Sequence, residues 1–380
     1  MSDTKTLEVS TSTLQPGQKL PLIITPQVSG HSHAEFLSWV QANRTWLAEQ
    51  LAEHGGLLLR GFNVREPAEF EAFNSTMGFE LMEYIRGNTP RSVVQNKVYT
   101  STEIRRFVPI PLHNEMSYAD KYPSLIAFLC HTPSPIGGET PIADMHEVWA
   151  NISPRIRDTF AERRLCYTQI VGKRPSRFLK KTWTEMFNTE DKAVVERHCA
   201  EQKIDVVWGK RDRLKLNHVR PAVMAHPRTG KNIWFNQAHI FHPSFSRELK
   251  RFNLPLRAFL LGRFEIFCRR RNPDLYPYNC TYGDGGTIEL KDIEEIRDVL
   301  WAQSISFPWQ QGDLVVLDNI QVAHSRLPYR GKRLVLTSLI QRMKVESPES
   351  HAPFPNVGSQ TDVATNGFET GIDNDNSPST

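Results

Sequence analysis

The sequence predicts an α+β fold, and two observations carry that expectation. Short apolar runs bounded by turn residues cluster in two zones, 110–144 and 305–343. Between them, Trp149 to about Gly209 and Phe241 to Ile296 read as mainly helical or irregular and strongly charged, an elaboration on a β core.

Taken in order, residues 1–29 are polar and punctuated by Pro and Gly, which predicts an extended N-terminal lead-in. From His33 to His54 the apolar residues Phe36, Leu37, Val40, Trp46, Leu47 and Leu51 keep a near-helical spacing that stops at Gly55–Gly56. One helix is expected there, followed by a short buried strand within Gly56–Phe62. In the first β-rich zone, Ser124–Cys130 is an apolar run followed by Pro133, Pro135, Gly137 and Gly138, the grammar of strands and loops. In the second, Asp313–Asp318 and Arg333–Ile340 are dominated by β-branched and other apolar residues. Residues 30–345 are therefore expected to form one domain with helical insertions. Residues 346–380, poor in large apolar side chains and rich in Asn, Asp, Ser, Pro and Gly, are expected to be a disordered acidic tail.

Hydrophobic content of 39% and charged content of 23% over 380 residues are those of an ordinary globular protein, with no fibrous or low-complexity bias. No run approaches the roughly 18 consecutive apolar residues of a membrane helix. The first 15 residues lack the basic and apolar blocks of a signal peptide, so a cytoplasmic protein is expected. Cys130, Cys166, Cys199, Cys268 and Cys280 are odd in number and widely spaced, which predicts reduced thiols and no disulfide framework. After Val345 the chain has six acidic residues and no Lys or Arg, so the preceding body stands near +10 against +4 for the whole. Such a body can attract an acidic partner, although Lys173–Arg174, Lys180–Lys181 and Arg269–Arg271 read equally as a solvated face. No nucleic-acid motif accompanies the charge.

The chemistry begins at Leu112-His-Asn-Glu115. Side chains alternate along an extended segment, so His113 and Glu115, two apart, project from one face and can grip a cation. His324, at the end of the strand grammar that follows Asp313–Asp318, can complete two histidines and one carboxylate on one face of an octahedral ion. That is the ligand set of non-haem Fe(II) oxygenases, with the opposite positions left open for cosubstrate and O2. A His-x-Glu pair also recurs by chance, and a single histidine is more often a core residue. Nine residues after His324 stands Arg333, whose guanidinium suits a carboxylate. Thr140, after Gly137–Gly138, offers a supporting hydroxyl. An ion pair for Arg333 and an ordinary strand position for Thr140 are the plainer readings.

Together, Ile110-Pro-Leu-His-Asn-Glu-Met-Ser-Tyr118, Gly137-Gly-Glu-Thr-Pro-Ile-Ala-Asp144, Trp234-Phe-Asn-Gln237 and Asp318-Asn…His324…Arg333 resemble the taurine dioxygenase (TauD/TfdA) superfamily. The surroundings of His113 and Glu115 are similar to its branch containing SyrP and clavaminate synthase. The resemblance runs from about Gly56 to Met343. It implies His113, Glu115 and His324 on Fe(II), Arg333 and Thr140 on 2-oxoglutarate, and a double-stranded β-helix, or jelly roll, around the site. It implies a hydroxylase acting on an amino acid or an amino-acid-derived group in specialised metabolism, free or tethered to an acidic carrier protein. Where sulfonate- and aryloxy-oxidising members carry a second Arg four residues after the first, this chain has Thr337, which argues against taurine. Retention of Glu115 argues against halogenation. Desaturation or cyclisation stays open, as does a non-catalytic metal-dependent binding or sensor protein or, more weakly, a hydrolytic zinc enzyme.

Met116, Tyr118 and Asn236 are candidates for touching substrate; each can also simply pack the barrel or, for Asn236 and Gln237, bond backbone. His239 and His242, three apart, read as cavity or core residues. Neither a nucleophile elbow nor a phosphate-binding glycine loop is present in the sequence.

Overall fold

The computed structural model describes residues 7–84, 91–175, 182–252 and 278–343. The expected acidic tail and the Lys180–Lys181 and Arg269–Arg271 clusters lie outside them.

Two sheets form the core. The larger runs, in spatial order, Val9–Thr13, Leu22–Pro26, Gly56–Leu59, Leu314–Asp318, Leu125–Thr132, Leu334–Met343, Val98–Thr100 and Val93–Gln95, with Phe79–Leu81 also on Leu334–Met343. The smaller runs Ser304–Ile305, Ile142–Asp144, Val322–Arg326 and Ile110–His113. Strand alternation splits the central side chains of the larger sheet between two cores. Ile126, Phe128, Cys130, Val315, Leu317, Val335 and Leu339 face the smaller sheet and meet Leu112, Ile142, Val322 and Ala323. Leu125, Ala127, Leu129, Leu314, Val316, Leu336 and Ile340 face outward onto Phe36, Trp39, Leu47, Leu51, Phe70 and Phe73 of the N-terminal helices. Being covered on both sides is why Leu314–Asp318 shows no polar alternation: all five residues are buried. The architecture is a jelly-roll α+β fold.

Three departures from the sequence reading have physical causes. The lead-in is extended, but Val9–Thr13 and Leu22–Pro26 pair as strands at the edge of the larger sheet. The segment 33–54 is two helices, His33–Ala42 and Arg44–His54, because Asn43 turns its side-chain amide back onto the Trp39 carbonyl at 2.9 Å. Such a side chain competes with the helical ladder. The second helix ends at Gly55, whose φ of 73° is left-handed. Third, the elaboration contains a four-stranded sheet, Ile204–Gly209, Arg213–Arg220, Leu165–Val171 and Tyr278–Tyr282, in that order. In Arg213–Arg220 the buried Leu214, Leu216 and His218 alternate with Arg213, Lys215 and Asn217, so the strand period was masked by charge on the outer face. Among the described residues, no helix is long and apolar enough to cross a membrane.

Candidate active site

Strand pairing brings the two histidines together: His324 lies directly opposite His113 in the antiparallel ladder of the smaller sheet, with ring centroids 4.5 Å apart. The ladder slips between His324 and Arg326. The Asp318 carboxylate makes the turn that carries the chain from the larger sheet into this strand. Its Oδ1 accepts from the Ile320 and Gln321 amides at 2.9 and 3.2 Å, and its Oδ2 meets His226 Nε2 at 2.9 Å.

Glu115 does not share a strand face with His113 as expected, because the strand ends at His113 and Glu115 stands in the turn beyond it. What places it is Asn319, whose Oδ1 accepts from the Glu115 amide at 2.7 Å and whose Nδ2 donates to the carbonyls of Glu115 and Pro123 at 3.1 and 2.7 Å. Asn114 returns the link by donating to the Asn319 carbonyl at 2.7 Å, and Gln237 donates to the Asn114 carbonyl at 2.8 Å. The next residue, Met116, sits at φ 57°, a left-handed conformation uncommon for a long side chain and characteristic of constrained sites. Asn319 belongs to the Asp318-Asn motif, but no sequence signal marks it for this function.

The result is one compact donor set. Ligand atoms of His113, Glu115 and His324 all lie within 4.8 Å of one another, the only such group among the described residues. Glu115 Oε2 is 3.8 Å from His113 Nε2 and 3.9 Å from His324 Nε2. His113 Nδ1 is 2.8 Å from the Pro111 carbonyl, which calls for the proton on Nδ1 and turns the Nε2 lone pair inward. Burial, then the neighbouring His113, holds the His324 imidazole well below its usual titration range, hence neutral and able to ligate. Burial pushes the Glu115 carboxyl up, but the Arg91 guanidinium, aided by His113 and His324, holds it down at about 2. These donors fit a divalent cation of the iron type and leave open positions.

No motif or spacing marks Arg91. Its side chain is 3% exposed and its Nη2 lies 2.6 Å from Glu115 Oε2, while the guanidinium carbon sits 4.6 Å from the Tyr84 ring centre. Beside it, a cavity of about 30 Å³ is lined by His113, His324, Arg333, Thr140 and Ser101. Here Arg333 and Thr140 come together: Arg333 Nη2 donates to Thr140 Oγ1 at 3.4 Å and its Nε to the Gly138 carbonyl at 2.8 Å. Trp309 Nε1 also donates to Thr140 Oγ1, at 3.1 Å. Glycine is required at 138, where φ is 81° and an added Cβ would stand 2.9 Å from Arg333 Cδ. Burial lowers Arg333 to about 10, which leaves it cationic at neutral pH.

A larger cavity of about 480 Å³ is lined by Met116, the residue after Glu115, and by Tyr118, Tyr167, Phe241, Lys97 and Asp120 among others. Two candidate substrate residues, Met116 and Tyr118, therefore line it. The third does not: Asn236 is buried, donates to the Ala222 carbonyl at 2.8 Å and accepts from the Ala238 amide at 3.0 Å. His239 Nε2 donates to the Leu112 carbonyl at 2.8 Å. His242 lies 2.8 Å from Ser244 Oγ and 3.2 Å from the Ile288 carbonyl. Both are core residues.

A jelly roll enclosing two histidines, a carboxylate and a buried Arg–Thr clamp defines the class of Fe(II)- and 2-oxoglutarate-dependent dioxygenases. The family model described as "Taurine catabolism dioxygenase TauD, TfdA family" matches residues 17–339, and the chain belongs to that family. It is thus a dioxygenase with Fe(II) as cofactor and 2-oxoglutarate and O2 as cosubstrates. Dapdiamide synthesis protein DdaC of Enterobacter agglomerans is 33% identical over 328 residues, 86% of this chain and 93% of that protein. The clavaminate synthase-like protein At3g21360 of Arabidopsis thaliana is 28% identical over 310 residues, 80% of this chain and 87% of that protein. Among solved structures, PvcB of Pseudomonas aeruginosa, titled an Fe, alpha-ketoglutarate dependent oxygenase from an isonitrile synthetic pathway, aligns with a TM-score of 0.49. Its identity is 16%, over 90% of this chain and 93% of that one.

Proposed function

We propose that the chain hydroxylates an unactivated C–H bond of an amino acid or an amino-acid-derived molecule in a biosynthetic pathway, with His113, Glu115 and His324 as the iron ligands. The observation that carries this is the triad itself, three donors from a cross-strand pair and one clamped turn. Bound there, iron would supply with O2 and 2-oxoglutarate an oxidant strong enough for such a bond.

The chain's own residues do the positioning. Arg333, held by the Gly138 carbonyl, and Thr140 are suited to the distal carboxylate of 2-oxoglutarate by charge-assisted hydrogen bonds. Phe128, 5.2 Å from the His324 ring, and Val335 wall the centre from water. Met116 and Tyr118 guide substrate from the larger cavity, whose volume suits a small molecule. Glu115 fills the coordination position that halogenation would need, which favours hydroxylation. The similarity to a dapdiamide synthesis protein supports an amino-acid-related substrate. We further infer a cytoplasmic enzyme, in keeping with the free Cys130, Cys166 and Cys280, and a substrate either free or carried on an acidic protein drawn by the basic body.

The test is anaerobic titration followed by turnover. The parent should bind about one Fe(II) and develop a weak visible charge-transfer band with 2-oxoglutarate. His324→Ala should lose both, whereas Arg333→Ala should keep the iron and weaken 2-oxoglutarate by roughly ten- to a hundred-fold, the value of a buried charged hydrogen bond. Free amino acids, peptides and carrier-bound aminoacyl thioesters are then screened for succinate release and product mass. Parent-like binding by His324→Ala would remove the ligand assignment, and turnover of taurine with none of this panel would overturn the substrate class.

A further inference from the structure

We propose that Arg91 is a specificity-determining residue that anchors a carboxylate of the substrate beside the metal centre. This deepens the function proposed above and rests on it. The first observation is satisfaction. A guanidinium carries five N–H donors, and those of Arg91 are engaged only in part, by Glu115 Oε2 at 2.6 Å and by the adjacent Tyr84. Its Nε and Nη1 are buried and meet no acceptor in hydrogen-bonding geometry among the described residues. Buried polar groups of native proteins are nearly always paired, so open donors on a side chain only 3% exposed point to an acceptor that arrives with a ligand.

The second observation is place. Arg91 lines the small cavity with His113, His324 and Arg333. Tyr84, beneath its guanidinium, directly follows Met82 and Glu83, which line the larger cavity together with Met116. Arg91 thus belongs to the cavity of the triad and rests on a ring whose chain neighbours, Met82 and Glu83, line the larger one.

The third is charge. Arg91, Arg326 and Arg333 bring three cations to a centre whose own carboxylate is single, and of these Arg326 is held by the neutral carbonyls of Ile104, Arg105 and Val108. Arg333 is matched to the cosubstrate, and Glu115 is matched to the metal as well as to Arg91. A further anion balances the set, and a carboxylate is the acceptor with geometry for a guanidinium. Thr337, the position at which relatives oxidising sulfonates place a second Arg, is buried with its hydroxyl donating to the Ala127 carbonyl at 3.0 Å. Anion recognition therefore comes in this chain from a residue 22 positions before His113, not from the strand of Arg333.

The test uses probe pairs that differ by one carboxylate: L-amino acids and dipeptides against their C-terminal amides. Each is titrated into the anaerobic Fe(II)·2-oxoglutarate protein and read by perturbation of the charge-transfer band. The parent should prefer acid over amide by about ten-fold or more for the best-binding pair. Arg91→Gln should bring that ratio to about one, and Arg91→Lys, which keeps the charge beside Glu115 but not the planar fork, should retain an intermediate preference. A merely structural function would weaken acid and amide alike and leave the ratio untouched. An unchanged ratio in Arg91→Gln, a parent without preference, or a parent band that no probe perturbs would each overturn the proposal. Loss of the band itself in the parent would instead sink the iron reading on which it rests.

Discussion

Buried between the two arms of the triad, Asn319 ties the turn after Leu314–Asp318 to the turn that carries Glu115. Its contribution is geometric: two bonds to the Glu115 backbone and one to Pro123 fix a carboxylate that no strand holds. Asn319→Ala should weaken Fe(II) binding by about ten- to a hundred-fold, the usual consequence of removing a group that orients a ligand. Isothermal titration with Mn(II) or Fe(II) reads this directly, and an affinity equal to the parent's would show that the turn holds Glu115 without help. Asn319→Asp, which keeps the acceptor for the Glu115 amide, should recover part of the loss. His113 and His324 were legible because their residue types announce chemistry. Asn319 and Arg91 were not, since an amide beside a strand end and an arginine in a loop have many ordinary uses. Their function exists only once residues 204 and 24 positions from Glu115 are folded against it.

Among the elements, the strands buried on both faces were the easiest to read. Leu125–Thr132 and Leu314–Asp318 showed as apolar runs because both of their faces are covered. The Arg213–Arg220 strand was not read because the cations of its outer face, Arg213 and Lys215, mask the apolar alternation. The break at Asn43 rests on a single side-chain bond, too local for apolar spacing to show. The helix His33–Ala42 makes its own test of how the layers divide the work. Phe36 is fully buried and packs its ring 4.8 Å from Phe62 and 6.0 Å from Phe73, on the face of the larger sheet that looks away from the triad. Phe36→Ala should destabilise the fold by about 3–5 kcal/mol through lost burial and the cavity left behind. At temperatures where the variant remains folded, its Fe(II) affinity should match the parent's. A matching unfolding midpoint, or a folded variant that no longer binds metal, would contradict this separation of support from chemistry.

At the scale of the whole molecule, acid stability reports how much of the centre is dry. Burial, reinforced by Arg297, lowers His239 from 6.5 to about 3, and its Nε2 lies 2.8 Å from the carbonyl of Leu112, the residue before His113. In the unfolded chain the same imidazole takes its proton near 6.5, so below that pH the unfolded state binds more protons than the folded one. The stabilisation is therefore complete above about 6.5 and is lost as the pH falls toward about 3. His324, lowered by burial in the same direction, adds to the slope when metal is removed by chelator. Glu115 is also depressed, from 4.5 to about 2, and its contribution is lost only below about 4.5. The interval between 6.5 and 4.5 thus separates these two buried histidines from the carboxylate of the centre. In chelator-treated protein, urea midpoints should fall from pH 6.5 to 4.5, and His239→Gln, whose amide can still donate to the Leu112 carbonyl but cannot take the proton, should flatten that fall. Equal slopes for parent and variant would mean that water reaches His239 and that the floor beneath the triad is wet.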